Sequence, residues 1–132
     1  YAVRLFYPDK NGLLTPVTTV LACTDPGQLP LLALQALIRA TVPVNLSRVV
    51  PAGTQVMDIS VSDGTASVVL SDQFMSCDTS AARAGSAVRS IAATLCDLSG
   101  VTAVRLSVIG ESGLTYYDIS EPITPQPDWF SE

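Results

Sequence analysis

Few residues in this chain could carry reactive chemistry. Histidine is absent from its 132 residues. That removes Ser-His-Asp and Cys-His catalysis, imidazole-ligated zinc and any imidazole pH switch. Lysine occurs once, at Lys10 beside an Asn11-Gly12 turn, a poor place for a buried Schiff-base amine or a phosphate-binding lysine. Carboxylates remain. Asp72 and Asp78 flank the loop before a predicted helix, and Asp58 lies on the outer face of a predicted strand. A carboxylate pair could do acid–base work on a glycosidic bond, but capping and solvation account for these aspartates. Gly110-Glu111-Ser112-Gly113 lacks the G-x-S-x-G spacing of a nucleophile elbow and reads as a hairpin turn. Cys77 stands near a helix start, where a thiol pKa falls, yet nothing nearby in the sequence would activate it. No GxGxxG, P-loop or alternating-acid calcium loop is present. The expectation is therefore no catalytic residue, no cofactor and no metal ligand.

Cys23, Cys77 and Cys96 make an odd number with no CxxC pair, so at least one is free or bonded to another chain. Cys77 and Cys96 bracket a predicted helix that separates them by roughly 27 Å. A disulfide needs Cα atoms within about 7 Å, so only Cys23 could pair with either. Three half-buried thiols are the plain reading.

The elements that must position these residues follow from periodicity. Residues 2–7 alternate, with Val3, Leu5 and Tyr7 on one face and Ala2, Arg4 and Phe6 on the other. Asn11-Gly12 predicts a hairpin with positive φ at both turn positions, leading to a strand over 13–22 in which Pro16 marks an edge or a bulge. Asp25-Pro26 opens a helix to about Thr41, with Leu31, Leu34, Leu37 and Ile38 as its apolar stripe, ended before Pro43. A third strand puts Met57, Ile59 and Val61 inward. Asp63-Gly64 turns it into a fourth, with Ala66, Val68 and Leu70 inward. Asp78, Thr79 or Ser80 caps a second helix to about Leu98, with Ala84, Val88, Ile91 and Leu95 inward and Arg83, Ser86, Arg89 and Ser90 off the stripe. Gly100 stops it. A fifth strand presents Thr102, Val104, Leu106 and Val108, and a sixth is expected over 114–118. Turns at Gly12, Gly64 and Gly113 recur at loosely even spacing, an internal echo rather than a solenoid.

The order ββ-α-ββ-α-ββ predicts an α+β fold: a two-layer sandwich with two helices on one face of a mixed sheet. Its other face would carry Arg4, Phe6, Thr18, Val20, Ser60, Ser67, Val69, Arg105 and Ser107, an ordinary wet face or a docking surface. Residues 1–118 read as the domain, and 119–132 as an extended Pro-rich tail that is pinned only if Trp129 and Phe130 find a groove. A chain of 13.8 kDa would fold to roughly 6,600 Å² of surface, burying about two-thirds of what its unfolded form exposes. A net charge of −5 argues against nucleic acid and anionic lipid as partners. No run of about 18 apolar residues spans a membrane. Because the first residue is Tyr1, a longer parent protein is expected, with any signal peptide or anchor upstream.

Leu46…Val49…Pro51-Ala52-Gly53-Thr54-Gln55-Val56, followed by Ile59, Val61, Asp63-Gly64, Ala66, Val68, Leu70-Ser71 and Phe74, resembles the GerMN domain of sporulation and spore germination proteins. Val3 to Leu14 is similar to its opening strand and turn. Thr94-Leu95, Gly100-Val101, Val104, Leu106 and Gly110 resemble its close. The likeness spans about residues 2–118. Ala40-Thr41-Val42-Pro43 stands where the family usually has Gly-Pro after the first helix. The resemblance implies an extracytoplasmic domain tethered by an N-terminal lipid, with an architecture like that of ring-building domains, and no catalytic residues to carry over. It implies a role in assembling envelope complexes, with envelope or sporulation proteins or further copies of itself as partners. Two other roles are weighed against it: peptidoglycan binding on stacking surfaces at Tyr116, Tyr117 and Trp129, and a cell-wall hydrolase acting through Asp72 and Asp78.

Overall fold

The structure is a computed structural model that describes residues 1–130. Ser131 and Glu132, the end of the expected tail, lie outside the described residues. Alternation over the first residues yields β1 (Ala2–Pro8), paired antiparallel with β2 (Leu14–Val20). The turn differs from the expected one. Only Gly12 has positive φ, while Asp9 Oδ1 accepts from the N–H groups of Asn11 and Leu13. Asp9 thus organises a three-residue loop closed by glycine. Asp25 caps a short 3-10 turn, accepting from Gly27 N–H, and α1 (Leu29–Arg39) follows with Pro30 in its first turn. It ends before Pro43 and buries Leu34, Leu37 and Ile38 with Ala33.

After a loop, β3 (Val56–Ser62) pairs antiparallel with β4 (Thr65–Leu70), and β4 pairs parallel with β5 (Ala103–Val108). A parallel pair needs a crossover, and α2 (Ala81–Cys96) supplies it. Ser80 caps α2 by accepting from Arg83 N–H. At Gly64, φ is +81°, and a Cβ would lie 2.9 Å from Thr102 Oγ1, so this tight turn against β5 requires glycine.

The α+β architecture with two main helices is as the sequence indicates, but the strands divide between two sheets, β1-β2 and β3-β4-β5. The physical reason lies in α2. Ser90 and Thr94, one turn apart on this helix, are fully buried. Thr94 Oγ1 accepts from Phe6 N–H at 3.1 Å, and Ser90 Oγ donates to the Phe6 carbonyl. Phe6 lies opposite Pro16 at a non-hydrogen-bonded position of the ladder, so its N–H and C=O point away from β2. Helix hydroxyls therefore satisfy the β1 backbone where a neighbouring strand would otherwise do so. Ser90, placed off the apolar stripe by periodicity, is a core residue for this reason.

The sixth strand does not form. Asp78, outside the cap of α2, accepts from Thr115 N–H at 2.7 Å and Tyr116 N–H at 3.0 Å. The free side of β5 is instead met by Ile123, which exchanges two backbone hydrogen bonds with Val104. Beyond it, Ile119, Ile123 and Trp129 join the core. Phe130 meets Phe6 edge-on at 5.4 Å, and the Arg89 guanidinium lies 5.5 Å from the Trp129 ring centre. The aromatics of the expected tail have found their groove.

Candidate functional site

The acidic candidates do not converge into a reactive pair. Asp72 is exposed at the start of the 3-10 turn over Asp72–Cys77, and Asp58 is exposed on β3. Both oxygens of Asp78 hold the 115–116 backbone, an anchoring task. Among the described residues no group of three or more His, Cys, Asp or Glu could hold a metal ion. Gly110 to Gly113 is an exposed turn with positive φ at both glycines.

All three cysteines are free. Cys77 does not gain the lowered pKa that a helix start can give. Burial, then the neighbouring Asp78 charge, pushes its thiol up to about 11. Burial alone lifts Cys96 to about 11. Neither is poised as a thiolate nucleophile at neutral pH.

The expected outer face is split by the division into two sheets. On the larger sheet Ser60, Ser67, Arg105 and Ser107 are exposed and Val69 is half-buried. On the smaller, Thr18 and Val20 are exposed, but Phe6 is covered by Phe130. Arg4 is ion-paired to Asp97 at the end of α2 and stacks beside Phe6. Of the stacking candidates only Tyr116 is exposed; Trp129 is buried and Tyr117 packs over Gly85.

The feature that sequence reasoning missed is on β3. Met57, Ile59 and Val61 were expected inward. Met57 is 50% exposed and Val61 43% exposed, while Ile59 is half-buried. A bulge between Val56 and Asp58 leaves Met57 without a partner on β4, and a bulge of this kind bends a strand and re-aims its side chains. β3 is also the end strand of its sheet, so apolar side chains sit beside a backbone edge that no other strand covers among the described residues. The one hint in the sequence was the polar series Asp58, Ser60 and Ser62, typical of a wet edge.

Comparison with known proteins defines the class. Residues 4–113 match the family model described as Germane, sporulation and spore germination, and the chain belongs to that family. Solved GerMN domains share its fold. The first GerMN domain of the sporulation protein GerM from Bacillus subtilis superposes with a TM-score of 0.71 at 24% identity, covering 99% of this chain and 97% of that one. The tandem GerMN domains of the same protein give 0.69 at 25% identity, covering 99% of this chain and 46% of that one; this chain thus spans about half of the tandem. A candidate lipoprotein from Clostridium perfringens gives 0.67 at 18% identity, covering 94% and 87%. Comparison with curated proteins returned no significant match. No helix among the described residues is long and apolar enough to cross a membrane.

Proposed function

We propose that this GerMN domain is a non-catalytic contact module of the cell envelope, acting in the assembly of sporulation or germination complexes from an extracytoplasmic position held by an anchor upstream. The observation that carries the reading is the edge of β3, with Met57 and Val61 exposed beside a backbone side that no other strand covers among the described residues. Such an edge is ready to accept a strand from a partner. The scattered acids and the raised thiol pKa values support the absence of a reactive centre. The resemblance to a lipoprotein-type domain supports the location.

The test is capture of sporulation envelope proteins by the purified domain, with light scattering for self-association, comparing the native chain with Met57→Lys and Val61→Lys. Binding or association that both substitutions weaken supports the proposal. A persistent monomer without a partner at high concentration overturns it. Turnover on spore cortex that Asp72→Asn and Asp78→Asn abolish would overturn the non-catalytic part. Of the three aromatics considered for peptidoglycan binding, Tyr116, Tyr117 and Trp129, one is exposed, Tyr116. Cosedimentation with purified peptidoglycan, no better than a control protein, is the expected result.

A further inference from the structure

We infer that the cleft between the end of α1 and the Pro51-Ala52-Gly53-Thr54 turn is a binding site for an oxyanion, the carboxylate or phosphate group of a small polar ligand. This is independent of the contact role of β3.

Two adjoining clefts of about 330 and 410 Å³ share Ile38, Arg39, Thr54 and Gln55 in their walls, within the size range of small-molecule sites. Gln35 and Arg48 complete the polar lining. A third cleft, of about 220 Å³, continues from Arg48 to Arg83. Among the described residues no aspartate or glutamate lines any of the three. The chain has twelve acids and only seven bases, so three arginines gathered without an acid run against its overall charge.

The second observation is Thr54. The residue is 5% exposed, and its Oγ1 is buried with no hydrogen-bond partner among the described residues. A buried hydroxyl left unsatisfied is costly, and such groups are rare enough to require an explanation. The backbone around it is tied elsewhere: Gln55 N–H donates to Ser71 Oγ, and Thr54 N–H donates to the Pro51 carbonyl. The turn holds its shape through these bonds and through Gly53 at φ +89°, leaving the hydroxyl unpartnered behind the wall of the cleft.

The end of a helix ordinarily repels an anion. Here Arg48 donates to the carbonyls of Ile38 and Ala40 at the end of α1, which offsets that partial negative charge. Among the described residues Arg39 has no carboxylate partner, and the ion pair there is Arg4 with Asp97. The Arg39 guanidinium and the primary amides of Gln35 and Gln55 are donors that suit a carboxylate or phosphate, with the Thr54 hydroxyl behind them. A cation would face two guanidinium groups. A flat apolar ligand would find the side chains of Ile38, Ala52 and Val56 and no aromatic ring.

The test is a ¹⁵N NMR titration of the domain with N-acetylglycine, its uncharged amide and inorganic phosphate at constant ionic strength. Saturable shifts at Gly53, Thr54 and Gln55 with either anion, absent with the amide, are expected. The anion that saturates at lower concentration identifies the source of the oxyanion. Arg39→Gln should weaken binding about tenfold, and Arg105→Gln, on the other sheet face, should not. Thr54→Val should weaken binding while leaving the melting temperature unchanged or higher. Shifts reproduced by the amide or by sodium chloride, or equal losses in Arg39→Gln and Arg105→Gln, overturn the inference.

Discussion

Replacing Trp129 by alanine tests whether residues after 118 are part of the fold. Trp129 is the sole tryptophan and is 5% exposed, in the core cluster. A buried tryptophan removes about 150–250 Å² from water, an upper limit of about 4–6 kcal/mol at about 25 cal/mol/Å². Measured truncations of this type cost about 3–5 kcal/mol, the cavity included. With an unfolding entropy near 2.1 cal/mol/K per residue, that lowers the melting temperature of a chain of this length by about 11–18 °C. Differential scanning calorimetry of Trp129→Ala against the native chain measures it. Tryptophan emission in the native chain reports on this segment alone, so its thermal transition should coincide with the far-UV circular dichroism transition. A shift below about 2 °C, or an emission change that precedes loss of secondary structure, would show that the segment is an appendage.

Ser90→Ala leaves the Phe6 carbonyl without its donor, and Thr94→Val leaves the Phe6 N–H without its acceptor at nearly constant volume. Each should cost about 1–3 kcal/mol in urea unfolding, and a loss under about 0.5 kcal/mol would mean that α2 does not satisfy the β1 backbone. Ser80→Ala removes the cap of α2 and should cost about 1 kcal/mol, read as a lower urea midpoint with an unchanged slope. The folded pKa of Cys77 and of Cys96 is raised to about 11, so the folded state keeps these protons when the unfolded chain has released them. Stability should hold below about pH 8.5, the usual thiol pKa, and fall as pH rises toward 11, more gently in Cys77→Ala; a flat urea midpoint between pH 8 and 11 would contradict this. Iodoacetamide at pH 8 should modify native Cys77 far more slowly than the same residue in urea, by mass spectrometry of the alkylated peptides, and equal rates would refute its burial.

Much of the architecture was legible because local chemistry and global packing agree. Period-two alternation marked β1, β4 and β5, and the Ala84, Val88, Ile91 and Leu95 stripe marked the buried face of α2. Pro26 and Pro43 framed α1, and Asp63-Gly64 supplied the tight turn, both residues with positive φ. The candidate contact edge was less legible. Met57 and Val61 have the composition and spacing of core residues, and only a bulge and an end position in the sheet expose them. Thr54 lay in the motif that carries the family resemblance, but nothing in its spacing signals an orphaned hydroxyl.

From sequence came the inventory of reactive groups, the order of elements and the sign of the charge, since these depend on residue identity and short-range periodicity. Tertiary structure decided the rest. It divided the strands between two sheets, because Ser90 and Thr94 reach across more than eighty residues to the Phe6 backbone. It turned Asp78 from a helix cap into an anchor for a distant loop, seated Trp129 in the core, and gathered Arg39, Arg48 and Thr54 around one cleft. Each of these depends on which groups meet across long separations along the chain, and residue spacing carries no record of such meetings.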